Sequence, residues 1–281
     1  MTIASAALVF SACPPLYAQP VLLQIRPRVG DTLAVRLNQT VELTGTPTGC
    51  GVEEPLSRRN TKPAEHPRPC SEIARRMTTV MEVFSRAIVR RTSSEGAIIL
   101  AVTDSIRTST SAGGKGGTPV RVKGGDDTIE LRVSTDGGVE VIDAEASDEL
   151  RAIFGQMPAT LSRKPVAAGE KWMRQMRIPI VGEPGASGLV RATFRLDSLG
   201  RNGDMAYISM RGTLSHDHRD GSDSELSGWM SGSMQLDRRL AWITETRATI
   251  DVTSMVRPTA GGKPMRVRTK VTQLLRAGPA R

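Results

Sequence analysis

Residues 190–197 read Val-Arg-Ala-Thr-Phe-Arg-Leu-Asp, a stretch in which apolar and polar side chains alternate strictly. Successive side chains of a β-strand point to opposite faces, so this stretch predicts a strand with one buried and one solvated face. The alternation recurs along most of the chain, for example over 33–43, 129–133 and 265–275. Short polar or glycine-bearing turns separate these stretches, as is typical of antiparallel neighbours in a meander. The sequence therefore predicts an all-β fold: a large curved antiparallel meander sheet, forming a half-barrel or barrel.

One segment departs from this alternation. Leu150, Ile153, Phe154 and Met157 recur at helical spacing, and Ser147 precedes them in the position of an N-cap. This pattern predicts one short amphipathic helix, packed on or in the sheet.

Two similar stretches suggest how the chain is organised. Residues 29–33 read Val-Gly-Asp-Thr-Leu and residues 169–172 read Gly-Glu-Lys-Trp, each a glycine and an acid that lead into a strand. We expect residues 19–281 to form a single β-domain, within which 21–145 and 160–278 are two pseudo-repeats. The alternative is two similar turns in unrelated halves.

The chain of 281 residues has a formal net charge of +9, with 38% hydrophobic and only 3% aromatic residues. This content of apolar residues suits a globular fold and argues against disorder of the whole chain. The positive charge is spread along the sequence. It suits an anionic surface such as phospholipid headgroups, and it equally suits an arginine-rich solubilising surface. No pattern indicates specific nucleic-acid binding, and the oligomeric state is not predicted.

The N-terminus has the character of an export signal. Residues 3–12 form a short apolar run that two prolines end, and Ala18 then offers a small residue for cleavage. We expect residues 1–18 to be a signal peptide; the alternative is lipidation of Cys13. Either route predicts export, to the periplasm or to association with the outer membrane of a Gram-negative bacterium.

The other two cysteines lie in one polar, proline-rich segment. In an exported protein, Cys50 and Cys70 are expected to form a disulfide across a loop of about twenty residues. A structural metal is disfavoured because these two thiols and His66 do not complete a four-ligand site.

The opening at 29–33, the element Pro165–Trp172 and the strand end Met234–Asp237 together resemble a family of uncharacterised exported bacterial β-proteins. The resemblance implies no known activity or catalytic residues. In architecture alone, the pattern is similar to periplasmic lipoprotein carriers, in which a curved antiparallel sheet wraps an apolar cavity. At positions 238–239, where a glycine often follows the strand-ending acid in such proteins, this chain has two arginines.

Catalytic motifs are scarce. The polar stretch 216–223 contains His216 and His218 together with Asp220 and Asp223, so it offers ligands for a divalent metal or is simply a polar hairpin loop. Its spacing does not match a calcium loop. The serine-nucleophile elbow and the phosphate loop are both missing from the sequence, so we predict neither an enzyme nor a bound cofactor.

Methionine is the more informative residue type. Several methionines fall on predicted inward faces, together with Gly228 and Gly232, and soft side chains beside bare backbone suit a deformable apolar pocket. The alternative is ordinary filling of a core that has few aromatic residues. The predicted ligand-binding residues are Met176, Phe194, Met210, Met230, Met234 and Trp242.

Three functional hypotheses follow. The first is a non-catalytic envelope protein that binds a lipid or another apolar or amphipathic ligand within the curved sheet. The second is an interaction module with a solid core, which holds a partner by an edge or by the basic row Arg266, Arg268 and Lys270. The third is a metal-dependent enzyme centred on His216 and His218.

Overall fold

The fold was analysed on a computed structural model, which describes residues 19–47, 75–113, 120–123, 128–143, 159–179, 187–216, 226–256 and 264–280. Twelve strands account for most of these residues: β1 (Thr32–Pro47), β2 (Arg75–Thr92), β3 (Gly96–Ala112), β4 (Val120–Lys123), β5 (Thr128–Ser134), β6 (Val139–Val141), β7 (Lys171–Pro179), β8 (Ser187–Gly200), β9 (Met205–His216), β10 (Leu226–Asp237), β11 (Trp242–Val256) and β12 (Met265–Pro279). The helical element in this part of the chain is a single 3-10 turn at Arg201–Gly203.

All twelve strands belong to one sheet, and every pairing in it is antiparallel. The order is β6-β5-β3-β2-β1-β12-β11-β10-β9-β8-β7, with β4 paired to β3 beside this path. Chain neighbours are therefore mostly sheet neighbours, apart from the β1–β12 pairing, which joins the first strand to the last. The prediction of an all-β, curved antiparallel meander is confirmed. The predicted helix at 147–157 lies outside the described residues.

The sheet has two unlike ends. At the first, which we call the closed end, tight turns connect the strands, including those at 93–95, 135–138, 201–204 and 238–241. At the opposite end, the open end, strands β1, β3, β9 and β11 finish at Pro47, Ala112, His216 and Val256. Connections outside the described residues follow each of these four strand ends.

The buried core lies on a single face of the sheet, towards the closed end. It combines side chains from strands far apart in the sheet order, such as Val89 of β2, Phe194 of β8 and Leu236 of β10, all of which are almost fully buried. Strands so distant in order share a core only because the sheet curls around it. The core-bearing face is therefore the concave one.

Two segments without regular structure seal the closed end. Residues 21 and 166 form an isolated antiparallel bridge, and Ile25 and Arg26 then donate backbone hydrogen bonds to the carbonyls of Thr135 and Ala241. The N-terminal segment thus runs from the β7 edge of the sheet to the β5–β6 turn near the opposite edge. It buries Leu23 and Ile25, and the segment after residue 159 adds Leu161, all in the core.

The two Gly-acid stretches adopt the same turn. Gly30 and Gly169 have φ of +88° and +90°, a conformation that suits glycine because it lacks a Cβ. In each turn the acid accepts a hydrogen bond from the amide three residues earlier, Arg28 to Asp31 and Ala167 to Glu170. The shared geometry sets the start of β1 and β7; the division into two pseudo-repeats stays a prediction.

Candidate functional site

The concave face is apolar well beyond the packed core. On β1, the buried Leu33 is followed on the same face by residues that are only half-buried, and their partners on β11 and β12 have the same character. We call this surface the open apolar face; its members are Leu37, Val41, Leu43, Ile250, Val271 and Leu275. These side chains lie towards the open end, and none of them belongs to the buried core. The concave side therefore has a filled half and a half that retains accessible apolar surface.

Pairing register makes this face continuous. Leu37 lies opposite Leu275, and Val41 lies opposite Val271, which in turn faces Ile250. Cross-strand partners on one face bring their Cβ atoms to about 5 Å, so their side chains touch. Polar residues interrupt the apolar rows on the same concave side, because Gln39 lies opposite Gln273, Leu43 opposite Thr269 and Leu275 opposite Thr246. The surface thus combines apolar area with amide groups that can form hydrogen bonds.

Five of the six predicted ligand-binding residues lie on the concave face of β7–β10. Phe194, Met210 and Met234 are buried in the core, whereas Met176 and Met230 are partly buried against it. Trp242, at the start of β11, packs against the core from a position opposite Asp237, beyond a shift in register. Their predicted role in ligand binding stays a prediction.

The methionines fill the space that the glycines leave. Met210 pairs with Gly232, and Met230 pairs with Gly212 on the same two strands. A Cβ added to Gly232 would collide with the Arg247 carbonyl oxygen and the Met210 methyl carbon, and one added to Gly212 would lie 2.8 Å from Cγ of Met230 and 2.9 Å from the Arg191 carbonyl oxygen. Each methionine thus lies across the bare backbone of its partner. The space predicted as part of a pocket is occupied by flexible thioether side chains.

The convex face is mostly polar, with separate exposed apolar side chains at Val80, Met173 and Trp229. Its strands carry Ser, Thr, Arg and acidic residues, and cross-strand ion pairs bind them together. Arg268 holds Asp251 through two hydrogen bonds of 2.9 and 2.5 Å, and this interaction lowers the pKa of the Asp251 carboxyl despite its burial. Arg247 and Arg276 likewise lower the pKa of Glu245. Polar residues outside and apolar residues inside point to the concave side as the place for an apolar ligand.

The basic row Arg266, Arg268 and Lys270 lies on the convex face, away from both edges of the sheet. Its strand β12 lies between β1 and β11, in the middle of the sheet. Arg268 is paired with Asp251, and Lys270 lies opposite Glu42 and Asp251 in the register of its two neighbours. The row is thus part of an alternating ladder of charges on the convex face.

A buried carboxylate connects the two edges of the sheet. Asp136, in the β5–β6 turn, accepts hydrogen bonds from Ser134 at 2.6 Å, Arg163 at 2.8 Å and Arg174 of β7 at 3.3 Å. Burial by itself would raise the pKa of Asp136, but these hydrogen bonds and the two positive charges outweigh it and lower the pKa. Arg174 also donates to the carbonyl of Leu161. We call this group of side chains the seam latch, because no strand pairing joins β6 to β7 in the described residues.

The predicted metal site lies only partly within the described ranges. His216 is buried on the inward side of β9, while His218, Asp220 and Asp223 lie outside the described residues. Within the described part of the chain, no three His, Cys, Asp or Glu side chains come close enough to hold a metal ion. Cys13, Cys50 and Cys70 also lie outside it, as does the signal segment 1–18. A helix long and apolar enough to cross a membrane is not found among the described residues.

The open apolar face was not among the predicted site residues. Alternation in the sequence predicts the face of the sheet on which a side chain lies. It does not predict how far along the strand that side chain is from the closed end. The signal that could have located it is the length of β1, β11 and β12, at 16, 15 and 15 residues. Strands this long extend beyond what a single core layer covers.

Comparisons with known proteins give no family. No family model matches the chain, and a search of curated proteins finds no match. Among solved structures, an outer membrane channel from Pseudomonas putida F1 aligns over 95% of this chain and 100% of its own, with 9% identity and a TM-score of 0.25. DynF, from the dynemicin biosynthesis pathway of Micromonospora chersina, aligns over 96% and 92%, with 8% identity and a TM-score of 0.19. Likenesses this distant carry no argument about the present chain.

Proposed function

We propose that this protein is a non-catalytic binder of an amphipathic ligand, whose apolar part lies on the open apolar face. The observation that carries the proposal is the contrast between the two faces of one sheet. The convex face is mostly polar and ion-paired, whereas the concave face presents Leu37, Val41 and Val271 as half-buried apolar side chains beyond the core.

The energetics favour such a ligand. Apolar surface removed from water contributes about 25 cal/mol for each Å², so an acyl chain laid along these strands would gain several kcal/mol. The strands are also long enough, since fifteen residues of β12 extend about 50 Å at 3.3 Å per residue. Gln39 and Gln273 offer amide groups for the polar part of the ligand. The proposed class is therefore a lipid or another long amphiphile.

The proposed function also includes a cellular location. A protein that holds lipid between membranes works in an aqueous compartment, and the export signal predicted at residues 1–18 would deliver the chain to the bacterial envelope. We therefore include a periplasmic or outer-membrane-associated location in the proposed function. Its test is the fraction in which the full chain is recovered after cell fractionation.

Binding can be tested with variants that keep side-chain shape. Val41→Thr combined with Val271→Thr replaces two concave methyl groups by hydroxyls and preserves β-branching. We expect the affinity of the full chain for N-phenyl-1-naphthylamine, an uncharged apolar probe, to fall about tenfold or more, because each hydroxyl loses solvation against an apolar ligand. An uncharged probe avoids the nonspecific attraction that a net charge of +9 exerts on anionic dyes.

The matched control is Val80→Thr. Val80 is 45% exposed on the opposite face of β2, so the same chemical change there should leave probe affinity unchanged. The proposal would be contradicted if the wild-type chain did not bind the probe, or if Val80→Thr weakened binding as much as the double variant does. Either result would favour the second hypothesis, an interaction module with a solid core.

A further inference from the structure

Beyond ligand binding, we propose that the closed end docks onto the surface of an anionic phospholipid bilayer. The surface concerned, which we call the closed-end basic surface, consists of Arg26, Arg28, Val29, Arg201, Arg238 and Arg239. All six residues are exposed. The proposal is independent of what the concave face binds.

Backbone hydrogen bonds bring the arginines together from three separate segments. Arg26 donates its amide to the carbonyl of Ala241 at 2.9 Å, which places residues 26–29 beside the β10–β11 turn. Arg238 donates its amide to Asp204 at 2.7 Å and its guanidinium to Gly203 at 2.6 Å, which places the β8–β9 turn on its other side. Distant parts of the sequence therefore contribute to one surface.

Three acids lie among these arginines, because Asp31, Asp204 and Asp237 line the same pocket as Arg28, Arg201 and Arg239. Asp31 accepts the amide of Arg28, Asp237 accepts the amides of Arg239 and Leu240, and Asp204 forms an ion pair with Arg239 at 3.8 Å. The five arginines of this surface exceed the three carboxylates by two. In the described residues, Arg28 and Arg201 form no ion pair, and the surface keeps an excess of positive charge for an anion outside the protein.

Arg201 occupies a costly conformation. Its φ is +51°, followed by +57° at Asn202 and +94° at Gly203. The left-handed region suits Gly and Asn, whereas an arginine there places its Cβ against the following carbonyl. Strain of this kind persists where it serves a function, and here it places a long cationic side chain on the closed-end surface.

An exposed apolar residue favours a bilayer over other anionic partners. Val29 is 61% exposed and sits between Arg28 and the positive-φ Gly30, at the tip of the turn that opens β1. An apolar tip that enters the headgroup layer while arginines contact the phosphates is typical of proteins that bind membrane surfaces. Such docking would direct the open end away from the bilayer.

The test is co-sedimentation of the full chain with phosphatidylcholine vesicles that contain phosphatidylglycerol, at about 0.1 M salt, where screening sets in over about 10 Å. We expect Arg28→Gln, Arg201→Gln and Arg239→Gln together to lower the partition coefficient about a hundredfold, at about fivefold for each arginine. The matched control removes the same charge from the convex face through Arg191→Gln, Arg211→Gln and Arg266→Gln. These three substitutions should change the partition coefficient much less.

A further variant separates function from folding. Arg201→Asn should weaken vesicle binding about fivefold while raising the melting temperature, because asparagine tolerates this backbone conformation. Equal losses in the two triple variants, or equal binding to vesicles of phosphatidylcholine alone, would overturn the proposal. So would tighter binding to heparin than to vesicles, since that result indicates an acidic macromolecule as the partner.

Discussion

Phe194→Ala is expected to lower the free energy of unfolding by about 3–5 kcal/mol, the usual cost of removing a fully buried aromatic ring. Phe194 is 0% exposed and stacks on Trp172, with ring centroids 5.8 Å apart and planes 13° from parallel. The cavity would open at the centre of the core that holds the closed end together. Urea unfolding followed by circular dichroism measures the loss.

Trp229→Ala provides the control for this prediction. Trp229 is larger than Phe194 but lies on the convex face of β10, where it is 46% exposed. Its removal should cost less than about 1 kcal/mol, as is usual for surface positions. Equal destabilisation by the two substitutions would show that the core does not lie on the face described here.

Asp136→Ala is expected to destabilise the protein by about 3 kcal/mol, because it leaves the half-buried Arg174 guanidinium without its counter-charge. Asp136→Ala combined with Arg174→Met should recover part of this loss, since the double variant removes both charges. The measurement is again urea unfolding. A double variant no more stable than Asp136→Ala would show that the latch acts through something other than charge.

The same carboxylate makes stability depend on pH. The pKa of Asp136 is lowered in the folded protein, as are those of Glu245 and Asp251. A lowered pKa stabilises the fold above the ordinary values of about 3.9 for Asp and 4.3 for Glu, and the contribution is lost as pH falls through the folded value. We therefore expect the melting temperature to decrease as the pH falls below about 4. Asp136→Asn should flatten that decline, and an unchanged slope would contradict it.

The alternation in the sequence was enough to predict the fold class and the concave face. Phe194, Met210 and Met234 were assigned to that face from period-two spacing, and they lie there. The same spacing did not reveal the shift in register that places Trp242 opposite Asp237. Spacing could not show that Phe194 and Met210 are sealed from solvent. The core that contains them also includes Leu23 and Leu161, which come from segments without any period.

Pairing between distant strands explains the remaining differences. Gly232 was expected to leave room beside methionine, but the register places Met210 directly opposite it and the room is filled. The row that includes Arg268 lies in the middle of the sheet because β12 pairs with β1, the strand at the other end of the sequence. A single strand carries no record of its partner, so these features could not be deduced from the local sequence.

The seam latch has a mechanical consequence. No strand pairing joins β6 to β7 in the described sheet. The two edges are held together by the side chains around Asp136, by backbone hydrogen bonds from Thr160 and Leu161 to the Asp136 carbonyl, and by the N-terminal segment. Widening of the curved sheet would break these few contacts and no strand pair of the described sheet. For the ligand binding proposed above, we therefore expect little discrimination between ligands of different width.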